Sequence, residues 1–513
     1  MSNSTTLTNR EKKGAFNHFL NGIEKVGNKL PDPVILFMIF CVIVVCLSWI
    51  GAKLGWSVIH PGTGDTVAVF NLLSRDGVQY MFQNAISNVT SFAPLGVCLV
   101  IMPAMGLLEQ SGLFKAVFLN IGLSVNRRTL TTIIVFLGII ANFMSDIGII
   151  VLPPLAAILF AAVGRNPLVG MCCAYAASTA GMTANLLVGV GDATTTAITI
   201  SAAKLINPNF TLSPTCNWFF FAGAVLILTP VAVFVTEHIV EPRMGKWEGN
   251  DYAPKIDLET YRLSALEKSA MKKSGIFLLA VIGLFALAVI PSWGLLRNAD
   301  GQSIFLSKTN QLSSIVTGLT LLLALPAIFY GKLTGTIKSG RDLSVACTKG
   351  ISTIAPFLVI CAVAGQFISY FGKTNLGLIL AVNGAKGLQN LGIPPLPLLL
   401  LVILFFALIN ILIASSAAKW TLLAPIFVPM FMLMNYEPQI VQAAYRIGDS
   451  MTNAITPLLA YFTILLGFAK QYDKNAGIGT LLGMLVPYTL FYGLAWIIYF
   501  SVYFLTGLPF GIA

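Results

Sequence analysis

Residues Asn410–Pro457 run N-I-L-I-A-S-S-A-A-K-W-T-L-L-A-P-I-F-V-P-M as far as Met430, cross a short polar gap, and resume at Gln442 with Q-A-A-Y-R-I-G-D-S-M-T-N-A-I-T-P. Apolar runs enclose the stretch, Leu396–Ile413 on one side and Leu458–Phe468 on the other. Lys419, Arg446 and Asp449 are thereby placed at membrane depth, where a lone charge costs roughly 2.5–3.5 kcal/mol or more. Such residues persist where they face a polar cavity, so the stretch reads as a site and the remainder as its scaffold.

Working outward, 56% of the 513 residues are hydrophobic and 10% are charged, which excludes an ordinary soluble protein. The runs are longer than barrel strands need and lack their alternation, so the class is an all-α polytopic membrane protein. The net charge of +11 comes from basic residues spread over loops, which fits orientation in a lipid bilayer and not binding of nucleic acid. Cys41, Cys46, Cys98, Cys172, Cys173 and Cys361 lie inside apolar runs with no C-x-x-C spacing, as inert buried thiols do.

Nine stretches are long enough to form transmembrane helices: 34–51, 92–111, 168–190, 216–240, 274–292, 312–330, 351–372, 441–467 and 480–508. Two more, 129–162 and 394–436, are apolar, then polar, then apolar again. The first breaks at Asn142-Phe-Met-Ser-Asp146, the second at Ser415-Ser416 and Lys419. Irregular backbone at that depth needs cover from protein or water, so both read as re-entrant helical hairpins. The chain then divides into a first half, 1–240, with hairpin 1 (129–162) and a broken span (168–190). A cytoplasmic linker follows (241–273), then a second half, 274–513, with hairpin 2 (394–436) and a broken span (441–467).

Basic residues collect on one side of these spans. Arg10, Lys12, Lys13, Arg127, Arg128, Arg165, Arg243, Lys268, Lys272 and Lys273 fall there, against Lys53, Arg75, Lys204, Arg297, Lys308, Lys373 and Lys386 on the other. That bias sets the N-terminus in the cytoplasm and the C-terminus outside. An internal repeat is also visible. A-N-F-M-S-D-I-G-I-I-V-L-P-P from Ala141 parallels I-N-I-L-I-A-S-S-A-A-K-W-T-L-L-A-P from Ile409. Each is followed by A-Y and then M-T: Ala174-Tyr175 with Met182, Thr183 and Asn185, and Ala444-Tyr445 with Met451, Thr452 and Asn453. Five spans separate the hairpins, an odd number, so the second unit is inverted, as in many secondary transporters.

Arg446 suits a carboxylate, with Asp449 one turn on; alternatively the two form an i,i+3 ion pair that touches no substrate. Lys419 and Trp420 read as a charged, stacking wall for an aromatic ligand, or as an interfacial anchor with a snorkelling lysine. Asp192 follows the glycine-rich exit L-L-V-G-V-G-D; it takes a cation or proton, or caps the helix that begins at Ala193. Asp146 sits in the tip of hairpin 1. Asn142, Ser145, Asn185, Ser415 and Asn453 offer the oxygens a monovalent cation needs, and equally the groups that satisfy broken backbone. His18, His60 and His238 lie away from span centres, which leaves no zinc motif and no histidine base in the core. Without a nucleotide loop, transport is driven by an ion gradient or by exchange and needs no cofactor beyond H+ or Na+.

The signatures T-A-N-L-L-V-G-V-G-D (183–192), A-P-I-F-V-P-M-F-M (424–432) and A-A-Y-R-I-G-D-S-M-T-N-A-I-T-P (443–457) resemble the p-aminobenzoyl-glutamate transporter (AbgT) family. So do F-A-P-L-G (92–96), E-K-V-G-N-K-L-P-D-P (24–33) and V-T-E-H-I-V-E-P-R (235–243). The resemblance implies a homodimer in the bacterial inner membrane, each protomer with nine spans and two opposed hairpins. It implies uptake of p-aminobenzoyl-glutamate or related aromatic carboxylates, or proton-coupled export of sulfonamide antimetabolites and p-aminobenzoate. Residues that the family uses in transport match here at Asp192, Trp420, Pro438, Arg446, Asp449 and Pro457, and a sodium site matches at Asn185, Asp192 and Asn410. Departures stand at Ala417, where relatives have serine, and at Lys419, where they often have a neutral residue. The expectation is an elevator-like secondary transporter. A dicarboxylate carrier of related fold is the nearest rival, a channel would need continuous polar pore faces, and an enzyme would need a reactive group that is missing.

Overall fold

The computed structural model describes residues 31–512 except 60–63, 123–125, 128, 145–146, 246, 248–261, 308–309, 414 and 457–458. Helices come in the order α1 Pro33–Lys53, α2 Arg75–Gln83, α3 Ala85–Thr90, α4 Ala93–Ser111, α5 Leu113–Gly122, α6 Leu130–Ile140, α7 Ile147–Ala162, α8 Pro167–Thr179, α9 Val190–Ala203 and α10 Trp218–Met244. After them come α11 Ala265–Val289, α12 Gln311–Thr334, α13 Gly340–Thr353, α14 Ala355–Lys373, α15 Leu376–Asn390, α16 Pro395–Leu412, α17 Ser416–Met432, α18 Pro438–Met451, α19 Ala460–Tyr472 and α20 Ile478–Thr506. One antiparallel ribbon, Ser57–Ile59 with Thr66–Ala68, follows α1.

Local chemistry sets these boundaries. Asp32 accepts from the Val34 N–H at 2.8 Å ahead of Pro33, and Asn166 accepts from the Leu168 N–H at 3.0 Å ahead of Pro167. Both are side-chain caps followed by a proline whose missing donor costs nothing at that position. Ser264 and Glu267 form a capping box that starts α11. At α13 the backbone N–H groups of Lys338 and Ser339 hold the Asp342 carboxyl below its ordinary value.

Among the described residues, eight helices are long and apolar enough to cross a membrane. Seven coincide with expected spans, and the eighth is α16, the first arm of hairpin 2. The other two expected spans are each two helices. The span drawn at 168–190 is α8, an irregular stretch and then α9, so it runs on to Ala203. The polar run T-T-T-A-I-T-I-S kept that second half out of the expected span, although a helix from Ala193 was one reading of Asp192; a helix buried in protein need not look apolar. The span drawn at 441–467 is α18, a 3₁₀ turn at Asn453–Ile455 and then α19. The 241–273 linker is shorter than expected: α10 continues to Met244, and the capping box begins α11 at Ala265 within the charged segment. Helices α2, α3, α5, α13 and α15 were not anticipated.

Each stretch expected as a hairpin is two helices, α6 and α7 with the 3₁₀ turn Ala141–Met144 after α6, and α16 and α17. In the first, both arms pack chiefly on the helix that follows, α8; in the second, α16 packs on the helix that follows, α18, whereas α17 packs chiefly on α9 and α15. The same order of elements therefore occurs twice. Helix α4 lies against α9, α12 and α13 and ties the first unit to its frame. Where α4 crosses α13, a Cβ on Gly106 would strike the Ala346 carbonyl and the Gly350 backbone, and one on Gly350 would strike the Met102 carbonyl. Small residues let these backbones touch. Gly106→Val is expected to lower stability by about 1–3 kcal/mol, read as a fall in Tm of the purified protein.

The outer surface is apolar. On α11, Leu279 is 68% and Leu284 is 66% exposed. Exposure on this scale matches a lipid surface and not water.

Candidate functional site

The site lies where α18 passes between the two units. This helix is buried along one whole turn after another, from Gln442 to Met451, although it carries Arg446 and Asp449. Its two charges are one turn apart and pair in opposite directions. Arg446 donates through Nη1 to Asp192 Oδ1 on α9, and its guanidinium also lies 4.2 Å from the Phe221 ring centre. Asp449 Oδ1 approaches Lys419 Nζ on α17 at 2.5 Å, an ionic contact that is not an aligned hydrogen bond. The i,i+3 pair of Arg446 with Asp449 does not form. Each has a closer partner on a neighbouring helix, which burial favours because both charges are then neutralised locally.

Asp192 is the third residue of α9, and its Oδ2 accepts from the Gly189 N–H at 2.7 Å. It is thus both a cap and a charge partner, and the two readings of it are compatible. Gly189 matters to this geometry, since a Cβ there would lie 2.6 Å from the Phe143 carbonyl oxygen. The tip of hairpin 1 rests on the backbone just before Asp192.

On the other side, Asn410 of α16 is the hub. Its Nδ2 donates to the Asp449 carbonyl at 2.5 Å, to Thr452 Oγ1 at 2.9 Å and to Asn453 Oδ1 at 2.8 Å, while Oδ1 accepts from Lys419 Nζ. Lys419 also donates to the Ile413 carbonyl at 3.2 Å. Trp420 does not form an open wall. It is fully buried, stacked on Tyr445 with ring centres 4.3 Å apart, and donates from Nε1 to Thr199 Oγ1 at 2.9 Å. Thr199 in turn donates to Gln442 Oε1 at 2.6 Å, so the indole joins α17, α9 and α18.

The remaining expected residues sort by local bonding. Ser415 caps α17 by accepting from the Ala418 N–H at 3.4 Å. Asn185 accepts from the Leu187 N–H at 3.3 Å within the break. Asn142 donates to the Gly138 and Ile139 carbonyls, and its buried Oδ1 has no hydrogen-bond partner among the described residues. Pro438 opens α18, about 12 Å along the axis from Arg446, and so sets the start of the helix rather than the site. Asp146 and Pro457 lie outside the described residues.

A sodium ion held jointly by Asn185, Asp192 and Asn410 does not fit this arrangement. The Asn410 oxygen is held by an ammonium, Asp192 is engaged by Arg446 and a peptide N–H, and Asn185 serves its own loop. Tyr445 and Thr452, marked in the sequence only as positions of the repeat, belong to the network, and so do Thr199 and Gln442, which were not singled out. Their only signal there was polarity inside or beside an apolar run.

Comparison with known proteins agrees with this architecture. The ABG_transport family model, the AbgT transporter family, matches residues 18–513. The p-aminobenzoyl-glutamate transport protein of Escherichia coli (strain K12) is 33% identical over 489 residues, 95% of each chain. The crystal structure of the YdaH transporter of Alcanivorax borkumensis superposes with a TM-score of 0.87 at 36% identity, covering 94% of this chain and 100% of that one. MtrF of Neisseria gonorrhoeae, described within a class of antimetabolite efflux pumps, gives 0.89 at 38% identity over 94% of this chain and 97% of its own. This chain is a membrane transporter, not an enzyme, and it belongs to the AbgT family.

Proposed function

We propose that the chain is a secondary active transporter of p-aminobenzoyl-glutamate or related aromatic carboxylates, driven by a proton or sodium gradient. The observation that carries this is the buried pair of Arg446 with Asp192, made between the broken helices of the two units. A guanidinium binds any carboxylate in the same fork, so a substrate carboxylate competes with Asp192 for Arg446. Once displaced, Asp192 is a buried carboxylate without its counter-charge, and the coupling cation takes the place of the guanidinium beside it. Substrate binding and cation uptake are thereby linked. Trp420 contributes by holding Tyr445 and α18 in register, with its indole reaching the ligand only after the stack opens.

The hairpins and broken helices move as the carrier in an elevator-like cycle, against a frame that includes α4, α12 and α13. The protein works as a homodimer in the bacterial inner membrane, with its N-terminus in the cytoplasm and its C-terminus in the periplasm. A second reading, proton-coupled export of sulfonamide antimetabolites and p-aminobenzoate, is favoured by the similarity to MtrF. Proteoliposomes loaded under a pH gradient or a sodium gradient, each alone, test both. Accumulation of radiolabelled p-aminobenzoyl-glutamate under one gradient is expected. Transport only of sulfonamide against the gradient selects the second reading, and exchange only of small dicarboxylates removes both.

A further inference from the structure

We propose that Lys419 is a tethered counter-cation. Its ammonium fills an oxygen cage that would otherwise hold a monovalent metal ion, so the second hairpin works without sodium. Lys419 does this within the transport site proposed above, on which the assignment rests.

Three oxygens of different kinds converge on Lys419 Nζ: the Asp449 carboxylate at 2.5 Å, the Ile413 carbonyl at 3.2 Å and Asn410 Oδ1. An ammonium has N–H donors and no acceptor; it donates to the Asn410 and Ile413 oxygens, and the Asp449 carboxylate balances its charge. A carboxylate, an amide oxygen and a peptide carbonyl are also the donors that a hard cation takes. The amide orientation is fixed by its other end. Asn410 Nδ2 faces three acceptors, the Asp449 carbonyl, Thr452 Oγ1 and Asn453 Oδ1, which leaves Oδ1 to face the cation. Lys419 is 0% exposed and Asp449 2%, so protein closes the cage.

The placement of the lysine is otherwise unfavourable. Lys419 is the fourth residue of α17, near the helix end whose dipole repels a cation. The three oxygens offset that, and they come from the break in hairpin 2, from α16 and from α18. The ammonium therefore pins the hairpin tip to α18, the mechanical task that a shared ion would perform there. A sodium ion could enter only by displacing the ammonium from Asn410 and Asp449.

The test uses the purified full-length protein in detergent, heated in sodium chloride and in choline chloride at equal ionic strength. The wild type is expected to give one Tm in both salts. Lys419→Gln is expected to melt lower in choline and to be raised by sodium along a saturating curve, because an ion that binds only the folded state stabilises it by mass action. Saturable stabilisation of the wild type by sodium overturns the proposal, as does a folded Lys419→Gln that ignores sodium. If Lys419→Gln does not fold, the wild-type comparison decides alone: sodium stabilisation overturns, equal melting supports. Uptake then separates this from the substrate reading. Failure to carry p-aminobenzoyl-glutamate while the melting results hold removes that substrate and leaves the role of Lys419 standing.

Discussion

Asp449→Asn is expected to destabilise the protein by about 3–5 kcal/mol and to abolish transport, because it strands the Lys419 ammonium in the interior. The neutral amide keeps the shape of the carboxylate but no longer cancels the charge. At an effective dielectric of about 20, two unit charges roughly 4 Å apart attract by about 4 kcal/mol, the same order as that loss. Asn410 and Ile413 then carry a buried cation alone. Removing both charges in Lys419→Met/Asp449→Asn is expected to recover most of the stability, since a buried pair replaced by neutral groups of similar volume is often neutral in cost. Transport is not recovered, because α18 and the hairpin tip are no longer tied by charge. Thermal unfolding of the two single variants and the double variant, read as a cycle, checks this. Additive losses would show that the two side chains are not coupled.

Arg446→Ala has the second large effect. It removes the guanidinium that pairs with Asp192 and covers the Phe221 ring, and leaves a carboxylate buried near Gly189. Truncating one member of a buried charge pair costs about 2–5 kcal/mol, much of it the penalty on the partner left behind. The loss is expected as a fall in Tm of the purified variant. Anion uptake is expected to vanish at every pH. Arg446→Lys is expected to keep the fold and lose most of the rate, because a point charge does not reproduce the fork. Uptake that survives in Arg446→Ala would remove the guanidinium from substrate binding.

These two variants separate what composition foretold from what it could not. The membrane class, seven of the spans and both hairpin breaks follow from the length of the apolar runs and their polar interruptions, properties that a bilayer imposes locally. Lys419, Arg446, Asp449 and Asp192 stood out for the same reason: a charge at that depth is conspicuous in one dimension. Which charge meets which was not legible. Spacing on one helix joined Arg446 to Asp449, but helix α9 brings Asp192 to Arg446 from the other half of the chain, and α17 brings Lys419 to Asp449.

Trp420 shows the same limit. Its sequence context offered an aromatic surface for a ligand, whereas packing gives one face to Tyr445 and its N–H to Thr199. A helix from Ala193 was one of two readings of Asp192, but the expected span ended at residue 190 because the threonines beyond it are polar; in the fold they are buried against α4 and α17. The sequence by itself therefore determined the solvent of the protein, the places where its helices break and the charges that need an explanation. Tertiary structure decided their partners, because an ion pair depends on distances across helices that pack from remote parts of the chain. It also decided the fate of the proposed sodium ligands: Asn410 could not be known to spend its oxygen on Lys419 until the break in hairpin 2 folded the two side chains together.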